Sequence, residues 1–443
     1  MSPTSAAAPH RGPSDGPRTP GLHTELYQIM QVAAYHADGL WGEATFDLVL
    51  RGGPDGQDRA LIVGIEEAVR AILDLGFSED EVRWLEGHAA LQQLPGAFFQ
   101  LLRKLRFTGE VLAVPDGTVV SAGAPILRVT APLSQAGLLE TRVHAALALS
   151  SAVATRAAAV VHAAGGRPVV DFGARRCPDA ESSVAASRAA RVAGFAGTTN
   201  ALAAQRLGIP PWAVGSEAML AVWGDAEAAS MACKQVFGDR LLLDLPAGPV
   251  HEAVARLAPL GRALTCVRID RPDLEGTLPA LRRALDRNGL PFVRIMASGG
   301  LDARRIRSIR ESALPVDVFA VGGALFEGSP TRLAYKVVEL VRGTEPTPAP
   351  TGPGAWPGRK QLLRRRDHDL LCLEVETLGG RIDGQPLLEA FVRRGERVRP
   401  AEGLEAGAER ARAQLDRLLA PAPWPLRVSP ALEALSSRSG AER

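Results

Sequence analysis

The sequence predicts an α/β protein with a central (β/α) barrel-like domain. Between residues 168 and 323, short apolar segments recur with a spacing of roughly 25 residues, and helical patterns lie between most of them. This alternation is typical of the βα units of a parallel barrel or sheet. The predicted strands cover residues 168–173, 211–216, 241–245, 266–270, 292–300 and 316–323.

Most of these predicted strands end in a polar residue or in glycine, and the carboxyl ends of the strands form the catalytic face of a (β/α) barrel. Six such ends are Asp171, Ser216, Asp244, Asp270, Ser298 and Gly322. We therefore expect residues that are far apart in the sequence to converge on one site.

The composition limits the class of protein. The 443 residues carry a net charge of +2 and include 23% charged residues, so no basic excess indicates nucleic-acid binding. The four cysteines lie far apart without a C-x-x-C pair, which favours a reduced, cytoplasmic protein over a zinc site or a disulfide framework. No apolar run reaches the roughly 18 residues of a membrane span.

Outside the barrel, local patterns predict both helices and strands. Apolar spacing predicts helices over about residues 25–35, 57–105 and 138–166. Alternation around Pro-Asp-Gly and Ala-Gly-Ala-Pro turns predicts antiparallel strands within residues 107–132, and a further strand is expected near Ala44–Leu50.

The two ends of the chain have different compositions. Residues 1–21 are rich in Pro, Ser, Gly and Ala and lack the apolar segment of a signal peptide, which predicts a disordered tail. Residues 343–358 form a proline-rich linker. Strand-and-turn material follows, then a helix from about Leu404 to Leu419, and residues 434–443 are expected to be unstructured.

The stretch Val169–Asn200 carries the clearest candidate site. A predicted strand ends in Asp-Phe-Gly, Arg175 and Arg176 follow, and a small-residue helix leads to the Gly-Thr-Thr-Asn turn at 197–200. Glycine allows close approach of the backbone, and guanidinium groups bind phosphate or carboxylate with two hydrogen bonds. On these residues alone, a βα turn with two solvated arginines is an equally good interpretation.

The segments DFGARR, SRAA and GFAGTTN, with AAQRLGIP after them, resemble the motifs of the nicotinate phosphoribosyltransferase family in order and spacing. The resemblance implies a type II phosphoribosyltransferase that moves phosphoribose from phosphoribosyl pyrophosphate, with Mg²⁺, to a pyridine carboxylate. Nicotinate would give nicotinate mononucleotide, a step of NAD biosynthesis. It also implies that the C-terminal part folds back onto the N-terminal part to form an α/β sandwich domain.

A domain layout follows from the resemblance and the patterns together. It comprises a disordered tail (1–21), an N-terminal α/β domain (22–166), a (β/α) barrel phosphoribosyltransferase domain (167–342), a proline-rich linker (343–358), a C-terminal part that packs on the N-terminal domain (359–433) and a second tail (434–443).

The resemblance also assigns roles to residues that hold the acceptor and the anions. Phe172 would stack on the pyridine ring, and Tyr27 would reach the ring in a neighbouring subunit, which implies a homodimer with shared active sites. Arg268 would meet the ring carboxylate. Arg175 and Arg176 would bind phosphate or pyrophosphate.

Three aspartates would act on the phosphoribose. Asp244 and Asp270 would face ribose hydroxyls or Mg²⁺-bound groups, with Asp273 in support. The structural alternative is that each carboxylate caps the following helix, and that the glycines of the site make tight turns. The remaining candidates for substrate binding are Thr198, Ser216, Ser298, Gly299, Gly300, Gly322 and Gly323.

The sequence departs from the family pattern where the family carries a histidine that ATP phosphorylates. The family's G-T-x-A-H-S is Gly-Ser-Glu-Ala-Met-Leu at residues 215–220, which places Met219 at the histidine position. V-D-T-Y-D has become residues 243–247, Leu-Asp-Leu-Pro-Ala, and R-x-D-S-G-D has become residues 268–273, Arg-Ile-Asp-Arg-Pro-Asp. Methionine accepts no phosphoryl group, so ATP coupling through phosphohistidine is not expected.

Three functions are compatible with these residues. The first is nicotinate phosphoribosyl transfer without phosphohistidine coupling. The second is the same chemistry with a different acceptor or donor in specialised metabolism, and the third is a non-catalytic paralogue that binds a pyridine nucleotide or a partner protein. Arg268 favours a ring carboxylate over a carboxamide, and the retained Asp244 and Asp270 argue against the third.

Overall fold

The computed structural model describes residues 18–343, 345–349, 354–380 and 382–438. Most of the predicted N-terminal tail, residues 1–17, lies outside this range, as do residues 439–443 of the predicted C-terminal tail. The part of residues 1–21 that is described is tied to the fold, because the buried Arg142 donates hydrogen bonds to the carbonyls of Pro20 and Gly21.

The first third of the chain combines helices with antiparallel strands. Its elements are α1 (Leu26–Ala37), β1 (Glu43–Gly52), β2 (Arg59–Ile62), α2 (Ile65–Leu73), α3 (Glu79–Glu86), α4 (Gly96–Lys104), β3 (Glu110–Ala113), β4 (Thr118–Ser121), β5 (Pro125–Pro132), α5 (Leu133–Ala136) and α6 (Glu140–Ala164).

The centre of the chain alternates strands with helices, as the sequence predicts. Its elements are β6 (Val169–Asp171), α7 (Ala180–Val192), β7 (Gly197–Thr198), α8 (Ala201–Leu207), α9 (Glu217–Val222), α10 (Ala226–Phe237), β8 (Leu241–Asp244), α11 (Val250–Leu257), β9 (Leu264–Asp270), α12 (Leu274–Arg287), β10 (Arg294–Ser298), α13 (Ala303–Glu311) and β11 (Val318–Val321).

The last part returns mainly to antiparallel strands. Its elements are β12 (Arg332–Arg342), β13 (Glu345–Pro348), β14 (Lys360–Arg364), β15 (Asp369–Leu373), β16 (Gln385–Pro386), β17 (Glu389–Arg393), β18 (Glu396–Arg397), α14 (Leu404–Arg412), α15 (Leu415–Leu419), β19 (Leu426–Val428) and α16 (Pro430–Arg438). Strand β19, however, pairs with β15 in parallel.

A seven-stranded sheet joins the two ends of the chain, in the order β13-β12-β1-β5-β3-β17-β18. Its neighbouring strands are antiparallel, and β17 from the C-terminal part pairs with β3. Residues 332–342, which the sequence analysis assigns to the barrel domain, form β12 and pair with β1 in this sheet instead. The domain boundaries as a whole remain a prediction.

The central strands form a six-stranded parallel sheet in the order β7-β6-β11-β10-β9-β8. The segment 211–215 spans the two edges of this sheet, because Pro211 bridges to Thr198 and Gly215 bridges to Leu243. The sheet therefore curls into a barrel-like wall. The strand predicted over residues 211–216 is reduced to these two isolated bridges.

Two apolar cores lie on either side of the long helix α6. Its first half packs into the core of the N-terminal part, through residues such as Val143, and its second half packs against the helices around the parallel sheet, through residues such as Val153. Among the described helices, α6 is long and apolar enough to cross a membrane, but 67% of its most apolar window is buried inside the protein. We therefore describe it as a core helix.

Several elements differ from the sequence-based expectation. Residues 57–105 begin with a strand, β2, and the proline-rich linker contains β13, whose prolines are tolerated because it is the edge strand of its sheet. The helix expected up to Leu419 is broken at Gln414, whose side chain accepts hydrogen bonds from Val119 N and from Arg364. Helix α16 continues into the predicted C-terminal tail as far as Arg438.

Candidate active site

A buried carboxylate fixes the turn that follows β6. Asp171 accepts hydrogen bonds from the amide of Gly173, from Ser187 Oγ and from Thr198 Oγ1, each at 2.7 Å. These three donors come from the Asp-Phe-Gly turn, from helix α7 and from the Gly-Thr-Thr-Asn turn. Asp171 therefore joins the three motifs of the central stretch and sets the position of Phe172 between them.

The Gly-Thr-Thr-Asn turn is held in the same network. Asn200 caps helix α8 by accepting from the amide of Ala203 at 3.2 Å, and its side-chain amide donates to Ser183 Oγ at 3.0 Å. Thr198 is buried and is absent from the residues that line the two cavities described below. The structure thus places Thr198 behind the site, where it holds Asp171, and its contact with a substrate remains a prediction.

The register of the parallel sheet brings four polar side chains together at one edge. Asp244 at the end of β8 lies opposite Arg268 of β9, and Asp270 at the end of β9 lies opposite Ser298 of β10. Because side chains on neighbouring strands that share a register position point to the same face, these four groups form one cluster.

Arg268 is the centre of this cluster. Its Nε and Nη2 donate to the two carboxylate oxygens of Asp244 at 2.5 and 2.7 Å, and its Nη1 donates to Asp270 at 3.1 Å and to Ser298 at 2.9 Å. The hydrogen bonds to Asp244 raise the pKa of Arg268 further above its usual range. The guanidinium carbon lies 5.8 Å from the centroid of the Phe172 ring, within the range of a cation–π contact.

A first cavity of about 250 Å³ opens at this cluster. The arginines of its rim, Arg175 and Arg176, are exposed, and their guanidinium groups have no hydrogen-bond or ion-pair partner within the described ranges. An anion entering the cavity would therefore meet two uncompensated guanidinium groups. The lining residues are Phe172, Arg175, Arg176, Arg268, Asp270, Ser298, Gly299, Gly300, Leu301, Ala320, Gly322 and Gly323.

Two glycines of the first cavity permit close packing that a larger residue would prevent. At Gly299, where φ is +92°, an added Cβ would lie 2.3 Å from Asp270 Oδ1. At Gly322 an added Cβ would lie 2.6 Å from the carbonyl oxygen of Phe172. The glycines therefore keep Asp270 and Phe172 in place and leave backbone amides accessible at two neighbouring strand ends.

A second cavity of about 390 Å³ adjoins the first, because Arg268 and Asp270 line both. Its other walls come from the loop after β8 and from Arg271, which follows β9. The lining residues are Asp244, Leu245, Ala247, Gly248, Arg268, Asp270 and Arg271.

Three residues from the sequence analysis lie elsewhere. Asp273 caps helix α12 by accepting from the amide of Gly276 at 2.9 Å, and Ser216 caps α9 by accepting from Met219 N at 3.3 Å. Tyr27 on α1 is 53% exposed and donates to Glu140 at 2.9 Å. Within one chain none of these three lines either cavity. Their roles in catalysis and binding remain predictions, and that of Tyr27 requires a second subunit.

Met219 occupies the position at which the family pattern has histidine. Its amide binds the Ser216 cap at the start of α9, and its sulfur lies 3.8 Å from the Cys233 sulfur. Met219 therefore packs against the core. His251, the histidine nearest to it in sequence on the C-terminal side, points to solvent on α11, with 79% of its side chain exposed.

One carboxylate of the site, that of Asp270, fits a magnesium ion that is shared with a phosphate ligand. Among the described residues, no group of three or more His, Cys, Asp or Glu side chains is placed to hold a metal. Mg²⁺, however, is commonly bound by one or two carboxylates together with substrate phosphates and water. Asp270, whose side chain is 50% exposed, meets that requirement, whereas both oxygens of Asp244 accept from Arg268.

Some lining residues could not be singled out from the sequence. Leu301 and Ala320 line the first cavity, and Leu245 and Gly248 line the second, but apolar residues carry no distinctive signal and Gly248 is not at the end of a predicted strand. Arg271 directly follows Asp270 and adds a cation there, and the structure places it on the wall of the second cavity.

Comparison with known proteins relates this chain to named enzymes. Residues 22–148 match the family model of the nicotinate phosphoribosyltransferase (NAPRTase) N-terminal domain. The chain is 36% identical to nicotinate phosphoribosyltransferase pncB2 of Mycobacterium tuberculosis over 90% of its own length and 87% of the relative's. It is 33% identical to pncB1 of the same organism, with 82% of each chain covered.

Solved structures share the fold. The human nicotinic acid phosphoribosyltransferase superposes with a TM-score of 0.78 at 23% identity, covering 94% of this chain and all of that one. A nicotinate-nucleotide pyrophosphorylase from Pyrococcus furiosus gives a TM-score of 0.73 at 23% identity, covering 90% of this chain and 95% of that one.

A mixed α/β fold, a curled parallel sheet and an arginine-lined cavity at its strand ends, together with these relatives, define a phosphoribosyltransferase. The chain belongs to the nicotinate phosphoribosyltransferase family.

Proposed function

We propose that the protein transfers the phosphoribosyl group of phosphoribosyl pyrophosphate to the ring nitrogen of nicotinate. In this reaction the bond between the anomeric carbon and the pyrophosphate oxygen breaks, the bond to the nicotinate nitrogen forms, and pyrophosphate leaves. The observation that carries the proposal is the juxtaposition of the Phe172 ring, Arg268 and Asp270 in one cavity that two unpaired arginines border. The named relatives support the choice of nicotinate.

The acceptor ring would lie against Phe172. An aromatic face holds a flat pyridine ring by stacking, and the guanidinium of Arg268 near that face supplies a positive charge for the ring carboxylate. Binding the ring in one plane presents its nitrogen in a fixed direction, which lowers the entropic part of the barrier.

A phosphate group of the donor would bind at the cations and amides of the first cavity. Arg175 and Arg176 offer unpaired guanidinium groups, and the turns at Gly299–Gly300 and Gly322–Gly323 offer backbone amides for a phosphate. The exposed carboxylate of Asp270 would face the ribose, where its negative charge stabilises the positive charge that grows on the anomeric carbon.

Magnesium would bind with the donor. Asp270 would hold the ion, with Asp244 next to it, and the ion would neutralise the charge of the leaving pyrophosphate. The protein's own part is to position the carboxylate, which the register partner Ser298 does by donating a hydrogen bond to Asp270 at 3.2 Å.

ATP would not be coupled to this reaction through a phosphorylated side chain. The position that would carry the nucleophile is Met219, whose thioether packs against Cys233. We also propose that the protein acts in the cytoplasm as a homodimer with shared active sites. The half-exposed Tyr27 is then available to a neighbouring subunit.

A second function is favoured by one observation. Four N–H groups of Arg268 already bind Asp244, Asp270 and Ser298, out of the five that a guanidinium has. An acceptor with a different anionic group or ring would then be selected by the arginines of the rim. The same class of enzyme with another acceptor, in specialised metabolism, is the alternative.

Product analysis tests the proposal. The purified protein is incubated with phosphoribosyl pyrophosphate, Mg²⁺ and nicotinate, with and without ATP, and products are measured by mass spectrometry. Equal formation of nicotinate mononucleotide in both reactions supports uncoupled transfer. The Asp270→Asn variant is the matched control, since it keeps the shape of the side chain and removes its charge.

Each contrary result has a separate meaning. Dependence on ATP would reject the uncoupled reaction. Nicotinate left intact, while another ring carboxylate is converted, would favour the alternative acceptor. If phosphoribosyl pyrophosphate remains intact with every acceptor tested, the non-catalytic interpretation is favoured.

A further inference from the structure

Arg271 lies on the wall of the second cavity and is held there by the backbone opposite. Its Nη2 donates to the carbonyl of Gly248 at 2.8 Å and to that of Pro246 at 3.4 Å. Both carbonyls belong to the loop after β8, whereas Arg271 follows β9. The side chain therefore crosses between the ends of two neighbouring strands, and its guanidinium has a defined orientation.

The loop carbonyls do not use all the N–H groups of the Arg271 guanidinium. A guanidinium has five N–H donors, and the two loop carbonyls use those on Nη2. Nε and Nη1 have no partner within the described part of the chain, and no carboxylate forms an ion pair with Arg271 there. By contrast, Arg268 in the same cavity binds both oxygens of Asp244.

The loop does not depend on Arg271 alone. From its outer side, Arg256 of α11 donates to the carbonyl of Ala247 at 3.5 Å, and Pro246 and Pro249 restrict the backbone further. Arg256 is absent from the lining of either cavity. The two arginines therefore hold the same loop from two sides, but only Arg271 presents charge to the cavity.

The chemistry of the two cavities differs. The first contains the aromatic ring of Phe172 and suits a flat acceptor, whereas among the described residues the second has no aromatic lining and only Leu245 and Ala247 as apolar side chains. Arg268 and Asp270 line both cavities, so the two cavities meet at these residues. A pentose bound there would direct its anomeric substituent into the second cavity, and the acceptor would approach from the first.

We propose that Arg271 binds the pyrophosphate group of the phosphoribosyl donor in the second cavity, through Nε and Nη1, while Nη2 stays on the loop carbonyls. This inference rests on the proposed function, because it takes the donor from it. Arg271 is then a substrate-binding residue of this chain that stands where the family pattern has serine. Its charge attracts the leaving group, whose negative charge increases as the bond breaks.

Calorimetric titration in the presence of Mg²⁺ tests this assignment. The full-length protein and its Arg271→Gln, Arg271→Lys and Arg256→Gln variants are each titrated with inorganic pyrophosphate, ribose 5-phosphate and nicotinate. Glutamine removes the charge but is too short to reach the loop carbonyls from this position, so the Arg256→Gln variant serves as the control for the lost loop contact. We expect Arg271→Gln to weaken pyrophosphate binding roughly 10- to 100-fold and Arg271→Lys to weaken it less, with nicotinate and ribose 5-phosphate unchanged.

The Arg256→Gln variant separates charge from loop anchoring. It removes the outer contact of the same loop and should leave pyrophosphate affinity unchanged. Equal losses in the Arg256→Gln and Arg271→Gln variants would overturn the inference, because the loop position would then be the cause. Weaker binding of ribose 5-phosphate or nicotinate in Arg271→Gln, with pyrophosphate unaffected, would also overturn it. Thermal unfolding of each variant establishes that it is folded.

Two different results distinguish a failure of this inference from a failure of the proposed function. A wild-type protein that forms product, together with an Arg271→Gln variant of unchanged pyrophosphate affinity, rejects the inference alone. A wild-type protein that binds neither pyrophosphate nor phosphoribosyl pyrophosphate rejects both.

Discussion

Asp244 and Arg268 lie opposite each other on adjacent parallel strands, and the carboxylate accepts two hydrogen bonds from the guanidinium at 2.5 and 2.7 Å. Only 7% of the Asp244 side chain and 15% of the Arg268 side chain are exposed. A buried pair with this geometry fixes both groups, since separating them would leave charges with little access to water. Arg268 is thus oriented before any ligand arrives.

The Arg268→Ala variant is expected to weaken acceptor binding far more than donor binding. Only the acceptor offers a ring carboxylate to this guanidinium, and a charge-assisted hydrogen bond contributes about 1.5–3 kcal/mol, which corresponds to a roughly 10- to 100-fold change in affinity. Titration of the variant with nicotinate and with phosphoribosyl pyrophosphate measures the two effects. A loss of donor affinity instead would show that Arg268 binds a different anion.

The same substitution should lower stability, because Asp244 loses the guanidinium that holds both of its oxygens. We expect a decrease of about 3 kcal/mol in the free energy of unfolding, measured by urea denaturation. The Arg268→Lys variant is the control: it keeps the charge near Asp244 but not the two parallel hydrogen bonds. It should be more stable than Arg268→Ala and still bind the acceptor poorly.

The Asp171→Ala variant should be destabilised by about 3–5 kcal/mol, because three buried donors, including Ser187 Oγ and Thr198 Oγ1, lose their acceptor. Asp179→Ala is a matched control: this exposed aspartate caps α7 through Ser182 N, and its loss should cost about 1 kcal/mol. Chemical denaturation of both variants measures the difference. Similar values for the two would show that the Asp171 network contributes little.

The sequence predicts the general position of the site because strand periodicity places polar residues at strand ends. Asp270 and Ser298 are therefore found from the pattern, whereas Phe172 is assigned from the family resemblance, and the structure brings all three to one cavity. The contact between Asp244 and Arg268 could not be predicted in this way. It depends on β8 and β9 being neighbours in one register, and strand order is set by tertiary packing.

Local signals also leave the role of some polar residues undecided. Asp273 and Ser216 each follow a predicted strand and precede a helix, so a cap and a binding group have the same sequence pattern. The structure shows both as caps, at Gly276 N and Met219 N. Residues 332–342 show a related limit of local signals: β12 pairs with β1, because the partner of a strand is set by packing rather than by proximity in the chain.

The cysteine next to the site is expected to be a poor nucleophile. Burial raises the pKa of Cys177 to about 11, so the thiolate fraction near pH 8 falls to about one in a thousand. Alkylation of the native protein by iodoacetamide at pH 8 should therefore be roughly 100-fold slower than that of free cysteine, and its rate should rise as the pH approaches 11. Peptide mass spectrometry over time measures the rate.

The denatured protein is the control for that measurement. In urea all four cysteines should react at the rate of free cysteine, because none of them is in a disulfide. Rapid alkylation of Cys177 in the folded protein at pH 8 would contradict the expected effect of burial.

The Met219→His variant should not gain ATP dependence. A histidine there would lie in the first turn of α9, at a position where Met219 packs against Cys233. Gly215 lies close to this side chain, because a Cβ added at Gly215 would be 2.8 Å from the Met219 methyl group. The loop after β8 also differs from the family pattern at residues 245–247, so the surroundings of a phosphohistidine would still be lacking.

Nicotinate mononucleotide formation is measured with and without ATP in the wild-type protein and the variant, and Met219→Gln controls for the loss of the apolar side chain. A rate that ATP stimulates in Met219→His but not in Met219→Gln would refute this expectation and would make Met219 the sole cause of the uncoupled reaction.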